Sequence, residues 1–198
     1  VPGNNSFTSL VNRRRSVRTY APDALSVEEL AFLLWATQGV EKRMSGGKTR
    51  RTSPSAGARH ALETLLMLNR VHNFSRGLYR YIPSRHALEE VSCDQGFFDD
   101  LVGGFRNVSL VNGSAVTFMW VSDTYRMTWK FGMRGYRYLL LDAGHICENL
   151  YLAAESLSCG CCAIGAFDDD ELNRLLACDG VSSFLVYGAS VGRKTGGE

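Results

Sequence analysis

The sequence predicts an α+β fold in which a largely antiparallel sheet is flanked by helices, within a single domain over residues 1–198. Segments with helical and strand periodicity do not alternate regularly, which argues against the βαβ units of a parallel sheet. A chain of 198 residues can also bury one core without disulfide bonds. Neither an internal repeat nor a linker divides the sequence.

The first third of the chain predicts two helices and a long loop. Ser6 can cap a short helix that runs into the cluster Arg13–Arg18. Ser26 and Glu29 form a capping box, and the apolar residues after them predict a helix that ends at Gly39. The loop is expected over residues 41–59, which lack periodicity and are rich in Arg, Lys, Ser and Gly.

The central segments predict strands and one polar helix. Glu63–Asn69 and Leu78–Ile82 are rich in strand formers and are expected to pair as a hairpin or meander. The helix is expected at about Phe97–Leu101. The β-branched and aromatic content of Ala115–Val121 predicts a strand that is buried on both faces.

The last third predicts two helices and two strands. Tyr136–Leu157 is the longest periodic segment, with a wide apolar face, and Gly160 is expected to end this helix. A strand over Cys161–Phe167 follows, the acidic run Asp168–Asp170 suits the start of another helix, and Phe184–Tyr187 predicts the final strand.

Composition is that of a globular protein, with 45% hydrophobic and 21% charged residues. No apolar run reaches the ~20 residues of a membrane helix, and Val1–Ser6 carries no export signal, so we expect a cytoplasmic protein without a membrane partner. The net charge of +2 gives no general drive toward nucleic acid. Cys159, Cys161 and Cys162 are interpreted as free buried thiols rather than a metal or dithiol site.

Two kinds of segment carry candidate binding chemistry. Arg14, Arg15 and Arg18 surround the hydroxyl of Ser16, a donor set that suits a phosphate dianion, although a solvated basic turn or an RNA contact has the same composition. Neither a P-loop nor a GxGxxG motif is present. The second kind is made of small residues: Ser53–His60 and Ala163–Phe167 would let backbone approach a flat ligand, and each alone is also an ordinary turn.

The combination of these segments resembles the nitroreductase family of flavoproteins. The series R-R-S-V-R-T-Y, S-P-S-A-G-A-R-H, the long helix, A-I-G-A-F and V-Y-G-A-S-V-G-R covers nearly the whole chain. The S-P-S-A-G-A-R-H and G-H-I-C-E-N-L-Y-L segments are most similar to the SagB-type branch, which oxidises azoline rings in peptide natural products.

The resemblance implies an intertwined homodimer with one FMN at each of two interface sites. It assigns the residues in three groups. The phosphate and the polar edge of the ring would be held by Arg14, Arg15, Ser16, Arg18 and Arg193; the other subunit would line the ring with Ser53, Pro54, Ser55 and Ala56; and amides directed at the ring would come from Gly165 and Ala166.

Two positions depart from the family pattern. Many members carry Asn where this chain has Ala58. Azoline oxidases resemble one another in a Lys-Tyr pair, and here the pair is Lys130-Phe131, whose phenyl ring cannot exchange a proton. Lys130 is the candidate catalytic base if burial lowers its pKa, and otherwise a surface cation.

The predicted function is that of an FMN-dependent oxidoreductase that carries hydride from NAD(P)H to a nitroaromatic or quinone. The alternative is a SagB-type dehydrogenase that acts on a peptide azoline. A third hypothesis, an RNA-binding module built on Arg13–Arg18, is disfavoured because acidic residues nearly balance the basic ones. His60 and His145 are interpreted as packing residues, and Trp129 as a pocket candidate.

Overall fold

One six-stranded sheet organises the computed structural model, which describes residues 5–196. Its strands are β3 (Leu62–Leu68), β4 (Gly77–Ile82), β5 (Ala87–Ser92), β6 (Val116–Ser122), β7 (Cys159–Ile164) and β8 (Leu185–Arg193). They lie in the order β5-β4-β3-β6-β8-β7, and every neighbouring pair is antiparallel. The predicted α+β class with a mostly antiparallel sheet is confirmed.

Seven α-helices flank the sheet within residues 5–196. They are α1 (Phe7–Arg13), α2 (Val27–Gln38), α3 (Gln95–Gly103), α4 (Val108–Gly113), α5 (Thr124–Phe131), α6 (Gly135–Ser156) and α7 (Asp169–Leu175). Three start signals in the sequence are confirmed: Ser6 caps α1, Ser26 and Glu29 form a complete capping box on α2, and Asp168 caps α7.

Each face of the sheet carries its own apolar cluster. On one face α2 and α6 pack through residues such as Leu33, Leu139 and Leu150, all fully buried. On the other face α3, α4 and α7 supply residues such as Phe98 and Leu172. All seven residues of β6 are buried between these layers, as the sequence predicted for this segment.

The predicted loop over residues 41–59 is wrong in part. It contains a small hairpin of β1 (Val40–Arg43) and β2 (Thr49–Arg51), joined by a 3₁₀ turn. Periodicity did not indicate these strands because they are short and mostly exposed. The same reason applies to β5, whose residues are exposed or half-buried.

Gly160 does not end the long helix. Helix α6 stops at Ser156 with Leu157 as its C-cap, and the left-handed residue that follows is Ser158, at φ 57°. Gly160 lies inside β7, where a Cβ would come within 2.7 Å of the Val17 side chain. The glycine is therefore needed for the close approach to β7 of the amino-terminal segment, residues 14–20, which contains Val17.

Across the residues with described positions, each helix is too short or too polar to span a bilayer. Most of the Val1–Ser6 segment, on which the expected lack of an export signal rests, lies outside those residues.

Candidate active site

Tyr151 on α6 joins the amino-terminal segment to the edge strand β7. Its phenol oxygen lies 2.9 Å from the Ser16 hydroxyl and accepts the Ala163 N–H at 2.8 Å. The Arg14 guanidinium stacks over the same ring, 5.2 Å from its centroid. Ser16 itself forms a parallel bridge with Cys161. Residues that the sequence places at opposite ends of the chain therefore meet at β7.

The arginine cluster divides between two sides because the chain is extended there. Arg14 faces Tyr151, and Arg18 lies near Cys162, where its charge partly offsets the rise in the thiol pKa that burial causes. Arg15 turns the other way and donates to the carbonyls of Asn12 and Arg14, at 2.9 and 2.8 Å. The structure thus brings Arg14, Ser16 and Arg18 together and separates Arg15 from them.

Arg193 ends β8 and is engaged within the protomer. Its Nη2 lies 2.6 Å from Glu29 Oε2, and the same carboxylate accepts the Ser26 N–H at 2.8 Å. The ion pair ties the sheet to the start of α2. A role for Arg193 at a phosphate would compete with this pair and stays a prediction.

Gly165 and Ala166 follow β7 and are exposed. The Ala166 carbonyl accepts the Arg106 N–H at 3.1 Å. Within the described residues no acceptor bonds the N–H of either Gly165 or Ala166, so both amides are available to a ligand. This geometry fits the amide role that the sequence suggested.

The Ser53–Ala56 segment is held by two polar residues on α6. Asn149 donates to Ser53 Oγ at 3.2 Å, and Asp142 accepts from Ser55 Oγ at 2.6 Å and from the Ala56 N–H at 3.1 Å. Asp142 and Asn149 are two helical turns apart on one face, so α6 fixes both ends of the segment.

The chain immediately after this segment has an unusual backbone. Gly57, Ala58 and His60 all have positive φ, at 58°, 54° and 47°. Two of them are not glycine, which makes the conformation unfavourable unless other contacts hold it. The Ser55 hydroxyl supplies one such contact by accepting the His60 N–H at 2.9 Å.

Lys130 lies against the same turn. A Cβ on Gly57 would come within 2.7 Å of Lys130 Nζ, and the ammonium also sits 5.3 Å from the Phe131 ring centroid. The side chain is exposed in the protomer, so the burial that would favour a base is missing. Trp129 is 63% exposed, with the Arg59 guanidinium 4.9 Å from its ring centroid.

The two histidines, His60 and His145, differ in their exposure to solvent. His145 is exposed on α6. Burial and the nearby Arg51 charge lower the pKa of His60 to about 4, so its imidazole is neutral near pH 7, as a packing residue would be.

Sequence reasoning missed Asp142, Asn149 and Tyr151 as supports of the site. A signal existed for Asp142, which follows Leu139 by three residues and precedes Ile146 by four, and so lies on the buried face of the helix. A carboxylate in that position needs hydrogen-bond donors, and the nearby loop provides them.

The chain has relatives by sequence. The family model of the Nitroreductase family matches residues 11–193. The nitroreductase-like protein MJ1384 of Methanocaldococcus jannaschii is 31% identical over 182 residues, which cover 92% of this chain and 88% of MJ1384. The microcin B17-processing protein McbC of Escherichia coli is 29% identical over 117 residues, 56% of this chain and 42% of McbC.

Solved structures share the fold. A nitroreductase-like protein of Anabaena variabilis superposes with a TM-score of 0.76 at 26% identity, over 95% of this chain and 38% of that one. A nitroreductase-like protein of Desulfovibrio desulfuricans, crystallised with FMN, has a TM-score of 0.65 at 18% identity, over 98% of this chain and 92% of that one. The chain spans less than half the length of the Anabaena protein, and its aligned part covers less than half of McbC.

Proposed function

Because the chain belongs to the nitroreductase family, we propose that it is an FMN-dependent oxidoreductase that acts as a homodimer. In this proposal NAD(P)H donates hydride, and an electron-poor small molecule such as a nitroaromatic or a quinone accepts the electrons. The D. desulfuricans protein of the same fold, which was crystallised with FMN, supports this choice of cofactor.

One observation carries the proposal: donors for a phosphate and donors for a ring converge on strand β7. Arg14, Ser16 and Arg18 lie beside its middle, and the amides of Gly165 and Ala166, to which residues 5–196 offer no acceptor, follow its end. Two guanidiniums and a hydroxyl match a phosphate, and free backbone amides match the acceptor atoms of a flavin ring. The residues present therefore fit FMN.

Bound FMN would supply the hydride chemistry. The protein residues would bind and polarise: Arg14 and Arg18 neutralise phosphate charge, Ser16 donates its hydroxyl, and the Gly165 and Ala166 amides stabilise negative charge on the ring. The small side chains of Ser53–Ala56 leave room for a flat ring. Lys130, next to Gly57, is the proposed catalytic group on the condition that the second subunit covers its side chain, which is exposed in the protomer.

Exposed apolar surface supports the homodimer. Helix α6 exposes Leu140 and Leu141, α1 exposes Phe7, and α2 exposes Trp35. An apolar groove of about 440 Å³ runs between these helices. Surfaces of this kind usually bind another protein, and a second copy would cover them while bringing its Ser53–Ala56 segment to the site.

The second candidate is a SagB-type azoline dehydrogenase with a peptide substrate. The similarity to McbC, a microcin B17-processing protein, favours it. Phe131 counts against it, because a phenyl ring cannot replace the tyrosine of the Lys-Tyr pair in proton exchange. Six free thiols, four of them buried, suit the reducing cytoplasm in which we place either reaction.

The test begins with the absorbance spectrum of the freshly purified protein. A flavin spectrum that bleaches on anaerobic addition of NADPH or NADH supports the oxidoreductase. A flavin spectrum that neither donor bleaches contradicts it and leaves the azoline dehydrogenase. A colourless preparation that binds no added FMN, but binds RNA with a steep salt dependence, would favour the RNA-binding hypothesis.

A further inference from the structure

Asp142 is a buried carboxylate without a cationic partner in the described residues. Its residue is 3% exposed, and no arginine, lysine or histidine in that part of the chain forms an ion pair with it. Removing such a group from water costs stability unless hydrogen bonds compensate. The hydrogen bonds that the Asp142 carboxylate accepts must therefore compensate for its burial.

Those contacts all go to one short segment. Oδ1 accepts the Ala56 N–H at 3.1 Å, and Oδ2 accepts the Ser55 hydroxyl at 2.6 Å. Ser55 Oγ in turn accepts the His60 N–H at 2.9 Å. Because both carboxylate oxygens act as acceptors, the side chain fixes the start of the Ser55–His60 turn directly and its end through Ser55.

The turn needs this support. Ala58 and His60 are not glycine and have positive φ, so without external contacts the backbone would relax to an extended or right-handed conformation. Lys130 packs on Gly57 at the tip of the same turn. The carboxylate therefore holds a strained loop whose first residues are proposed to line the FMN ring.

We propose that Asp142 is a positioning residue for the reaction, one that holds Ser55 and Ala56 in the geometry that receives the flavin. The inference rests on the proposed function, because it concerns the face that the segment presents to FMN. In this proposal Asp142 itself contacts neither substrate nor cofactor.

The variants D142A and D142N separate geometry from charge. Alanine removes both acceptors. Asparagine can accept the Ala56 N–H with Oδ1 and donate to Ser55 Oγ with Nδ2 once the serine hydroxyl rotates, so it should preserve the turn. S55A removes the link to His60 and leaves the Ala56 contact, which gives a milder variant if D142A does not fold. Asp170→Asn, at an exposed position of helix α7, is the matched control.

The measurements are FMN binding by fluorescence quenching and the visible circular dichroism of FMN at saturation. For D142A we expect the Kd to rise about tenfold, the factor equivalent to ~1.4 kcal/mol, with an altered visible dichroism. S55A should lie between D142A and the wild type. D142N and D170N should stay within about threefold of the wild-type Kd, with unchanged dichroism.

Wild-type affinity and dichroism in D142A would overturn the inference, and so would equal impairment of D142A and D142N. If D142A does not fold, a wild-type result for S55A overturns it. A wild-type protein that binds no FMN refutes the proposed function and the inference together, and this result is recognised from the wild-type titration alone.

Discussion

The Tyr151 phenol and the Ser16 hydroxyl lie 2.9 Å apart, at the point where the amino-terminal segment meets β7. Tyr151 already accepts the Ala163 N–H, so its own proton can be donated to Ser16. The Ser16 proton is then free for an outside acceptor such as a phosphate oxygen. Burial raises the pKa of Tyr151, which keeps the phenol protonated in this role.

Tyr151→Phe should therefore weaken FMN binding without unfolding the protein. We expect a rise in Kd of about three- to tenfold, the range for one neutral hydrogen bond. Fluorescence titration measures it. Tyr136→Phe on the same helix is the control, because its ring stacks on Phe184. Equal Kd values for the two variants would contradict the hydrogen-bond role.

Arg14 and Arg15 are adjacent in sequence and should differ in function. Arg14→Ala removes a charge next to Tyr151 and Ser16 and is expected to raise the Kd for FMN about tenfold or more. Arg15→Ala removes a side chain that bonds only backbone carbonyls, so we expect a change below about threefold. FMN titrations of the two variants, run side by side, measure this difference. A larger rise in Kd for Arg15→Ala than for Arg14→Ala would contradict the prediction and show that the arginines rearrange when FMN binds.

Gly57→Ala tests the contact between the turn and Lys130. The new methyl group would lie 2.7 Å from Lys130 Nζ and 3.0 Å from Phe131, at a φ of 58° that disfavours alanine. We expect kcat to fall by about tenfold, because the lysine must move away. Lys130→Met should give the same loss. If Gly57→Ala reduces kcat and Lys130→Met does not, the effect comes from the backbone rather than the ammonium.

Stability should decrease as the pH falls from 6.5 toward 4, in part because of His60. Burial and Arg51 lower its pKa from 6.5 to about 4, so in this range the unfolded chain binds a proton that the folded protein excludes. The contribution is fully present above pH 6.5. His60→Asn removes the titration, and asparagine tolerates the positive φ. Melting temperatures at pH 7.5 and 5.0 should differ less for this variant than for the wild type.

The cysteines of β7 and its neighbours should resist alkylation in the native protein. Burial raises the pKa of Cys147 to about 12 and of Cys159 to about 11, and raises that of Cys161 strongly. Iodoacetamide at pH 8 should label the half-buried Cys93 and Cys178 first, as read by mass spectrometry, and all six after denaturation. Rapid native labelling of Cys161 would revive the dithiol interpretation.

Local signals predicted much of the fold. Ser26 with Glu29 predicted the start of α2, because a capping box acts within one turn. Hydrophobic content predicted β6, which is buried on both faces. Periodicity missed α5, a helix of eight residues that buries Thr124 and exposes the aromatic Tyr125 and Trp129, so apolar side chains alone do not mark its buried face.

The site was predicted less completely, because the contacts that hold it join residues that are far apart in the sequence. The pattern at residues 53–60 suggested a turn of small residues. The hydrogen bonds from this turn to Asp142 form only because of the way α6 packs against it. The opposite orientations of Arg14 and Arg15 arise from an extended segment that local periodicity placed at the end of a helix. The ion pair of Arg193 with Glu29 joins distant segments, which no local pattern encodes.

The position of β7 at the sheet edge determines when the site can form during synthesis. Its sheet partner is β8, which leaves the ribosome later, and the Ser16 bridge to Cys161 needs β7 in place. In a nascent chain stalled before Leu185, β7 would lack its partner β8, and Arg14 and Arg18 would have no completed sheet edge to pack against. Assembly of this region therefore waits for residues near 193, so the arginine cluster can dock only after nearly the whole sheet has been synthesised.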